Sequence, residues 1–75
     1  MGLFRSKAVK ELDCIINDIN INLSNNYKEP AHKARLRLQS RCTELYGENK
    51  ISEKEFKRYM TVFEQYTVMM KDYHH

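Results

Sequence analysis

The chain has 75 residues, of which 31% are charged, with two glycines, one proline and two cysteines. This length indicates a single domain with a modest core, because a chain of this size buries only about 60% of the surface that it exposes when unfolded. Two cysteines are too few for a disulfide scaffold, and two glycines cannot form a phosphate-binding glycine loop.

The first six residues, MGLFRS, match the N-myristoylation pattern M-G-x-x-x-[ST]. This short pattern often occurs by chance, and it has meaning only in a eukaryotic or viral protein. The other interpretation is an ordinary start, in which Leu3 and Phe4 enter the first helix or pack over its end. No signal-peptide pattern is visible, and no uncharged run approaches the roughly 20 residues of a transmembrane helix, so we expect a cytoplasmic protein.

The first helix is predicted over residues 7–24. Its core face is marked by apolar residues at helical spacing: Ala8, Val9, Leu12, Ile15, Ile16, Ile19 and Leu23. The stretch IINDININL also alternates like a strand, but it has no second strand to pair with, and an isolated strand is not viable. Cys14 and Ile21, seven residues apart, lie nearly opposite the core face. This stripe is a candidate surface for contact beyond the monomer.

The second helix is predicted over residues 30–46. Asn25 and Asn26 suit the left-handed end of the first helix, and Pro30 suits the first position of the second. The core stripe of the second helix is Ala31, Ala34, Leu38, Cys42 and Leu45. Gly47 is expected to end this helix as a C-cap glycine.

The net charge of +3 lies entirely in this second helix. Its basic residues are Lys33, Arg35, Arg37 and Arg41, and they stand against Glu44 alone. Lys33, Arg37 and Arg41 follow one flank of the core stripe, and Arg35 lies on the other flank. These side chains suit nucleic-acid phosphates or an acidic protein, and the alternative is that their stems cover the edge of the core. A helix-turn-helix protein would instead place its basic residues on the helix after the turn.

The third helix is predicted over residues 52–73 and has the clearest signals. Ser52 and Glu55 form a capping box, and Ile51 and Phe56 are placed for a hydrophobic staple. The apolar positions recur in steps of three and four: Phe56, Tyr59, Met60, Phe63, Tyr66, Met70 and Tyr73. Val62 and Met69 widen this face at one edge. The continuous spacing is typical of a core face rather than of a surface that stacks on bases.

Residues 51–58, ISEKEFKR, resemble the start of short bacterial helical hairpin modules such as the SHOCT domain. The resemblance is mostly a capping box with a staple, which unrelated helices share. Lys50 stands where those modules usually have a glycine. We assign no family on this resemblance.

Three predicted helices with short connections indicate an all-α fold, a small antiparallel three-helix bundle. The alternative is a hairpin of the second and third helices with the first loosely attached. The ends of the long helices would project from this bundle, or the chain would dimerise to cover them.

The sequence contains no H-E-x-x-H, C-x-x-C or EF-hand pattern, and we expect no enzyme activity, cofactor or metal site. His74 and His75 could bind a metal as any exposed histidine pair would, but no acid or cysteine stands at a fixed spacing from them. Cys14 and Cys42 are expected to be reduced, buried thiols, and a bridge between packed helices is the alternative.

The expected function is protein–protein interaction, as a small adaptor or regulator that associates with itself or with a larger partner. The candidate surface is Lys33, Arg35, Arg37 and Arg41 of the second helix and the stripe of Cys14 and Ile21. Weak binding of nucleic acid through the basic second helix is the alternative function.

Overall fold

A computed structural model describes residues 6–71 and shows α1 (Lys7–Ser24), α2 (Lys28–Gly47) and α3 (Glu53–Met69). The described residues contain no strand, and the helices pack on one another as a small all-α bundle. The predicted fold class is therefore confirmed. The most extensive helix–helix contact joins α1 to α2, so the alternative with a loosely attached first helix is wrong.

The start of α1 is set by Ser6, whose Oγ accepts a hydrogen bond from the backbone N–H of Val9 at 3.1 Å. An N-cap of this kind satisfies one of the free N–H groups at the start of a helix. The serine that completes the M-G-x-x-x-S pattern thus has a structural role of its own. Leu3, Phe4 and the Met-Gly start lie outside the described residues.

Asn26 ends α1 in the left-handed region, with φ of 60°. The N–H of Tyr27 donates to the carbonyl of Asn22 at 2.8 Å, and the N–H of Asn26 donates to that of Leu23 at 3.0 Å. These two bonds form a Schellman motif, which satisfies carbonyls that the helix itself leaves free. The prediction of a left-handed end at Asn25 and Asn26 is confirmed for the second of the pair.

The end of α2 repeats this motif two residues later than expected. Gly47 is the last helical residue and does not have positive φ, whereas Asn49 has φ of 63°. The N–H of Lys50 donates to the carbonyl of Leu45 at 2.8 Å. The prediction of Gly47 as C-cap is wrong, because asparagine tolerates the left-handed conformation and takes that position instead.

The other boundaries differ slightly from the predicted ones. Lys28 begins α2 two residues early, which places Pro30 third in the helix rather than first. The N–H groups of the first turn lack partners in any helix, so a proline is tolerated there. Met70 is the C-cap of α3, and its buried side chain closes the core beyond Met69. Within the described residues α3 is therefore shorter than predicted, and Tyr73 lies outside them.

The predicted core positions of the first two helices are confirmed. The buried residues of these helices are Ala8, Val9, Leu12, Ile15, Ile19, Ala31, Ala34, Leu38, Cys42 and Leu45. Ile16 and Leu23 are partly buried against them, so the whole predicted face of α1 points inward.

The start of α3 forms as predicted. Ser52 Oγ accepts from the N–H of Glu55 at 3.1 Å, and the Glu55 side chain accepts from the N–H of Ser52 at 2.9 Å. Ile51 is buried ahead of this capping box, and Phe56 packs against the core after it, as expected for the staple. Phe56 also stacks on Tyr46 of α2, with ring centroids 4.4 Å apart.

Two buried tyrosines of α3 extend to α1. Tyr59 donates its hydroxyl hydrogen to Asp13 at 2.7 Å, and Tyr66 donates to Asn20. A buried tyrosine hydroxyl needs a polar partner, and α1 supplies one for each. The partners are seven residues apart on both helices, so these bonds set the parallel register of α1 and α3.

We expect Gly47→Ala to raise the free energy of unfolding by about 0.5–1 kcal/mol, because alanine loses less conformational freedom in a helix than glycine does. A Cβ built at Gly47 has nothing within 4 Å. Urea denaturation followed by circular dichroism measures the change. Asn49→Ala is the control and should destabilise, since its φ of 63° strains alanine. A loss of stability in Gly47→Ala would contradict the helical assignment of this glycine.

Candidate interaction surfaces

Arg41 is held by two carboxylates. Its Nε and Nη2 donate to the two carboxylate oxygens of Glu11 on α1, with Nη2 and Oε1 2.8 Å apart. Its Nη1 donates to Glu44 on the same helix at 2.7 Å. This bidentate geometry fits the planar guanidinium and joins the end of α2 to the start of α1. The hydrogen bonds from Arg41 lower the pKa of Glu11 and outweigh the opposing effect of desolvation.

Arg37 forms a second link between the same helices. Its Nη2 lies 3.1 Å from Asp18 Oδ2, and the two side chains are 54% and 44% exposed. An ion pair this exposed contributes little to stability, since water and salt screen it. It nevertheless places the carboxylate of Asp18 beside the guanidinium of Arg37, which was predicted to contact an external partner.

Arg35 lies on the opposite flank of α2 and contacts α3. Its Nη1 donates to Thr67 Oγ1 at 2.9 Å, and its guanidinium carbon lies 5.3 Å from the centroid of the Phe63 ring. Its Nε is buried without a hydrogen-bond partner in the described part of the chain. A guanidinium over an aromatic face is attracted by the ring, so Arg35 packs as part of the α2–α3 contact.

The predicted arrangement of the basic residues on the two flanks of α2 is confirmed. Lys33 is exposed and forms no ion pair with residues 6–71, unlike Arg37 and Arg41 on the same flank. The acidic partners on α1 were not anticipated. These ion pairs could have been predicted from the sequence. In an antiparallel hairpin the chain order of one helix is reversed relative to the other, so Glu11 comes near Arg41 and Asp18 near Arg37.

Cys14 and Ile21 lie on the side of α1 opposite the core, as predicted. Cys14 is exposed, and the Ile21 side chain is 50% exposed. Glu11 and Asp18 are about one helical turn from Cys14, so this stripe borders the ion pairs to α2. The structure therefore brings Arg37, Arg41 and the stripe of Cys14 and Ile21 to the α1–α2 side of the bundle, whereas Arg35 lies on the α3 side.

The cysteines differ from the expectation of two buried thiols. Cys42 is fully buried in the core, whereas Cys14 faces outward. Both are free thiols, and the alternative of a bridge between them is wrong because Cys42 is enclosed in the core while Cys14 lies on the outer side of α1. Burial raises the pKa of the Cys42 thiol.

The outer face of α3 is a further surface, which sequence reasoning missed. The prediction that Val62 and Met69 both widen the core face is confirmed for Val62, which packs against the core, and wrong for Met69, which no neighbouring helix covers. Val68 is 73% exposed and Met69 is 57% exposed, and they line a shallow depression with Thr61, Glu64 and Gln65. Val68 is two residues from both Tyr66 and Met70, which are buried. At 3.6 residues per turn, two residues along the chain correspond to about half a turn, so Val68 lies on the side of α3 opposite Tyr66 and Met70. The exposure of Val68 could have been predicted from this spacing.

No group of three or more metal-ligating side chains occurs among residues 6–71, and His74 and His75 lie outside that range. None of the helices that the structure describes has the length and apolar character to cross a membrane. The comparisons with protein-family models, curated proteins and solved structures gave no match. The resemblance of residues 51–58 to the SHOCT domain is thus unaccompanied by a family match.

We expect the Glu11→Gln variant to lose less stability than the wild type when the pH is lowered. The folded-state pKa of Glu11 is lowered from 4.5, so its stabilising contribution is present above that pH and is lost as the pH falls through the lower folded value. Melting temperatures measured across this range should fall less steeply for Glu11→Gln than for the wild type. Glu48→Gln, at an exposed glutamate without an ion pair to the described residues, is the control and should follow the wild type. Identical slopes for all proteins would contradict the Arg41 link.

We expect a thiol reagent to modify Cys14 in the folded protein and Cys42 only after unfolding. Exposure makes a thiolate accessible to the reagent, whereas burial both shields Cys42 and raises its pKa. Mass spectrometry after labelling with and without denaturant measures this difference. Cys14→Ser is the matched variant, and rapid native labelling of that variant would show that Cys42 is not buried.

Proposed function

We propose that this chain is a non-enzymatic cytoplasmic protein–protein interaction module that docks through the outer face of α3. The proposal is supported chiefly by Val68 and Met69, which are adjacent, large and 73% and 57% exposed. Complete burial of such a side chain contributes about 1.5–3 kcal/mol, so a partner that covers both gains appreciable free energy.

The other exposed apolar side chains are weaker evidence for a docking surface. Leu36 on α2 has the polar residues Lys33 and Ser40 about one turn away, and Tyr46 is stacked on Phe56. Single apolar residues on a surface are ordinary in soluble proteins. The adjacent pair on α3 is therefore the preferred site, and the stripe of Cys14 and Ile21 is secondary.

The charge distribution favours a protein partner over a nucleic acid. Arg37 and Arg41 pair with carboxylates that a phosphate would have to displace, and Arg35 packs on Phe63. Nucleic-acid binding through α2 remains the second proposal. Salt separates the two proposals, because binding to phosphates weakens steeply between about 50 and 200 mM salt.

The free thiols support the cytoplasmic part of the proposal. An exposed thiol such as Cys14 persists in a reducing compartment and is readily oxidised elsewhere.

We expect Val68→Glu to abolish capture of a protein partner from a lysate of the source organism. A carboxylate in the centre of an apolar contact would have to be buried unpaired, which is strongly unfavourable. Affinity capture with immobilised wild type and variant, compared by mass spectrometry, measures the loss.

Leu36→Glu is the matched control, because Leu36 is similarly exposed at 49% but lies on α2. Circular dichroism must show that both variants keep the helical content of the wild type. A partner that binds Val68→Glu as strongly as the wild type would place the docking surface elsewhere. Equal losses in both variants would also contradict a site specific to α3.

A further inference from the structure

We propose that the partner on the outer face of α3 is a second copy of this chain, packed antiparallel about a two-fold axis beside Val68. This inference rests on the proposed function and names the occupant of that surface. It is supported by the opposite charges of Glu64 and Lys71, which lie before and after Val68 in the sequence. When two copies run antiparallel, the acid of one copy faces the base of the other.

Glu64 lies on the same side of α3 as Val68, one turn before it. Lys71 follows the C-cap Met70 at the end of α3, three residues after Val68 and seven after Glu64. Both are exposed, and neither forms an ion pair with another residue of the range 6–71. The next lysine toward the start of the helix, Lys57, is already paired with Glu53 at 3.2 Å. Among the described residues, Glu64 and Lys71 thus stand without an ion pair on either side of the exposed Val68, and Lys54 is a further unpaired base near the start of the helix.

Two-fold symmetry makes each contact occur twice. If the two-fold axis passes between Thr67 and Val68, a residue at a given distance before the axis in one copy faces the residue at the same distance after the axis in the other copy. Glu64 of each copy then faces Lys71 of the other, and the two Val68 side chains meet next to the axis. A parallel pair would instead bring Glu64 level with Glu64 and Lys71 level with Lys71. Charge complementarity therefore selects the antiparallel arrangement.

The apolar and charged residues have different roles in this dimer. Val68 and Met69 provide the surface that is removed from water, whereas the exposed ion pairs contribute little affinity and mainly select the register. One face of a single helix is smaller than a standard interface, which buries about 800 Å² on each partner. We therefore expect a weak dimer, whose association is measurable at protein concentrations up to about 1 mM.

Sedimentation equilibrium of the full chain tests the inference. The wild type should form dimers as its concentration rises, and Val68→Glu should raise the dissociation constant at least about tenfold. Leu36→Glu is the control on α2 and should dimerise like the wild type. Circular dichroism and melting temperature establish that each variant is folded.

Charge reversal tests the register. Glu64→Lys and Lys71→Glu alone should each weaken the dimer by about three- to tenfold, because each places like charges opposite one another. The double variant with both reversals should recover the wild-type dissociation constant, since opposite charges face each other again. Without this recovery, the antiparallel register is wrong.

Other outcomes overturn the inference in ways that can be distinguished. A chain that stays monomeric at about 1 mM, or a dimer that Ile21→Glu disrupts and Val68→Glu does not, excludes self-association through α3. If that monomer still captures a different protein and Val68→Glu abolishes the capture, only the identity of the partner is wrong. If Val68→Glu changes neither self-association nor capture, the proposed function fails as well.

Discussion

The bundle depends on the burial of a narrow apolar stripe on α2. Both neighbouring helices pack mainly on α2, and every residue of its stripe is at most 2% exposed. Ala31 and Ala34 allow close approach at one end, while Leu38, Cys42 and Leu45 fill the space at the other. Most of the remaining surface of α2 is polar, so this helix gains its stability from tertiary packing rather than from intrinsic propensity. Removing either neighbour would expose the stripe.

The arginines of α2 follow from this central position. Long basic side chains flank the stripe, and each flank meets a different neighbour. Arg41 and Arg37 reach carboxylates of α1, and Arg35 reaches Phe63 and Thr67 of α3. The charges of Arg37 and Arg41 are thus compensated by carboxylates within the fold, although the net charge of the chain stays +3. This compensation is why a surface on α3, with little net charge, is favoured over the basic helix as the docking site.

Much of the fold could be predicted from the sequence because its signals are local. The capping box at Ser52, the left-handed Asn26 and the core faces of the three helices all depend on residues within a few turns of one another. The predicted helix boundaries at Pro30 and Gly47 were wrong, because more than one residue near each boundary can adopt the backbone conformation that starts or ends a helix. Proline is tolerated throughout the first turn, and Asn49 serves as well as glycine would.

The sequence by itself determined the helical periods, the inward faces and the side on which each arginine lies. Only the tertiary structure decided which charges remain available, since ion pairs such as Arg41 with Glu11 join residues far apart in the chain. It also decided that Val68 and Met69 stay uncovered, because exposure depends on where the neighbouring helices lie. Periodicity describes one helix at a time, whereas pairing and burial are properties of the contacts between helices.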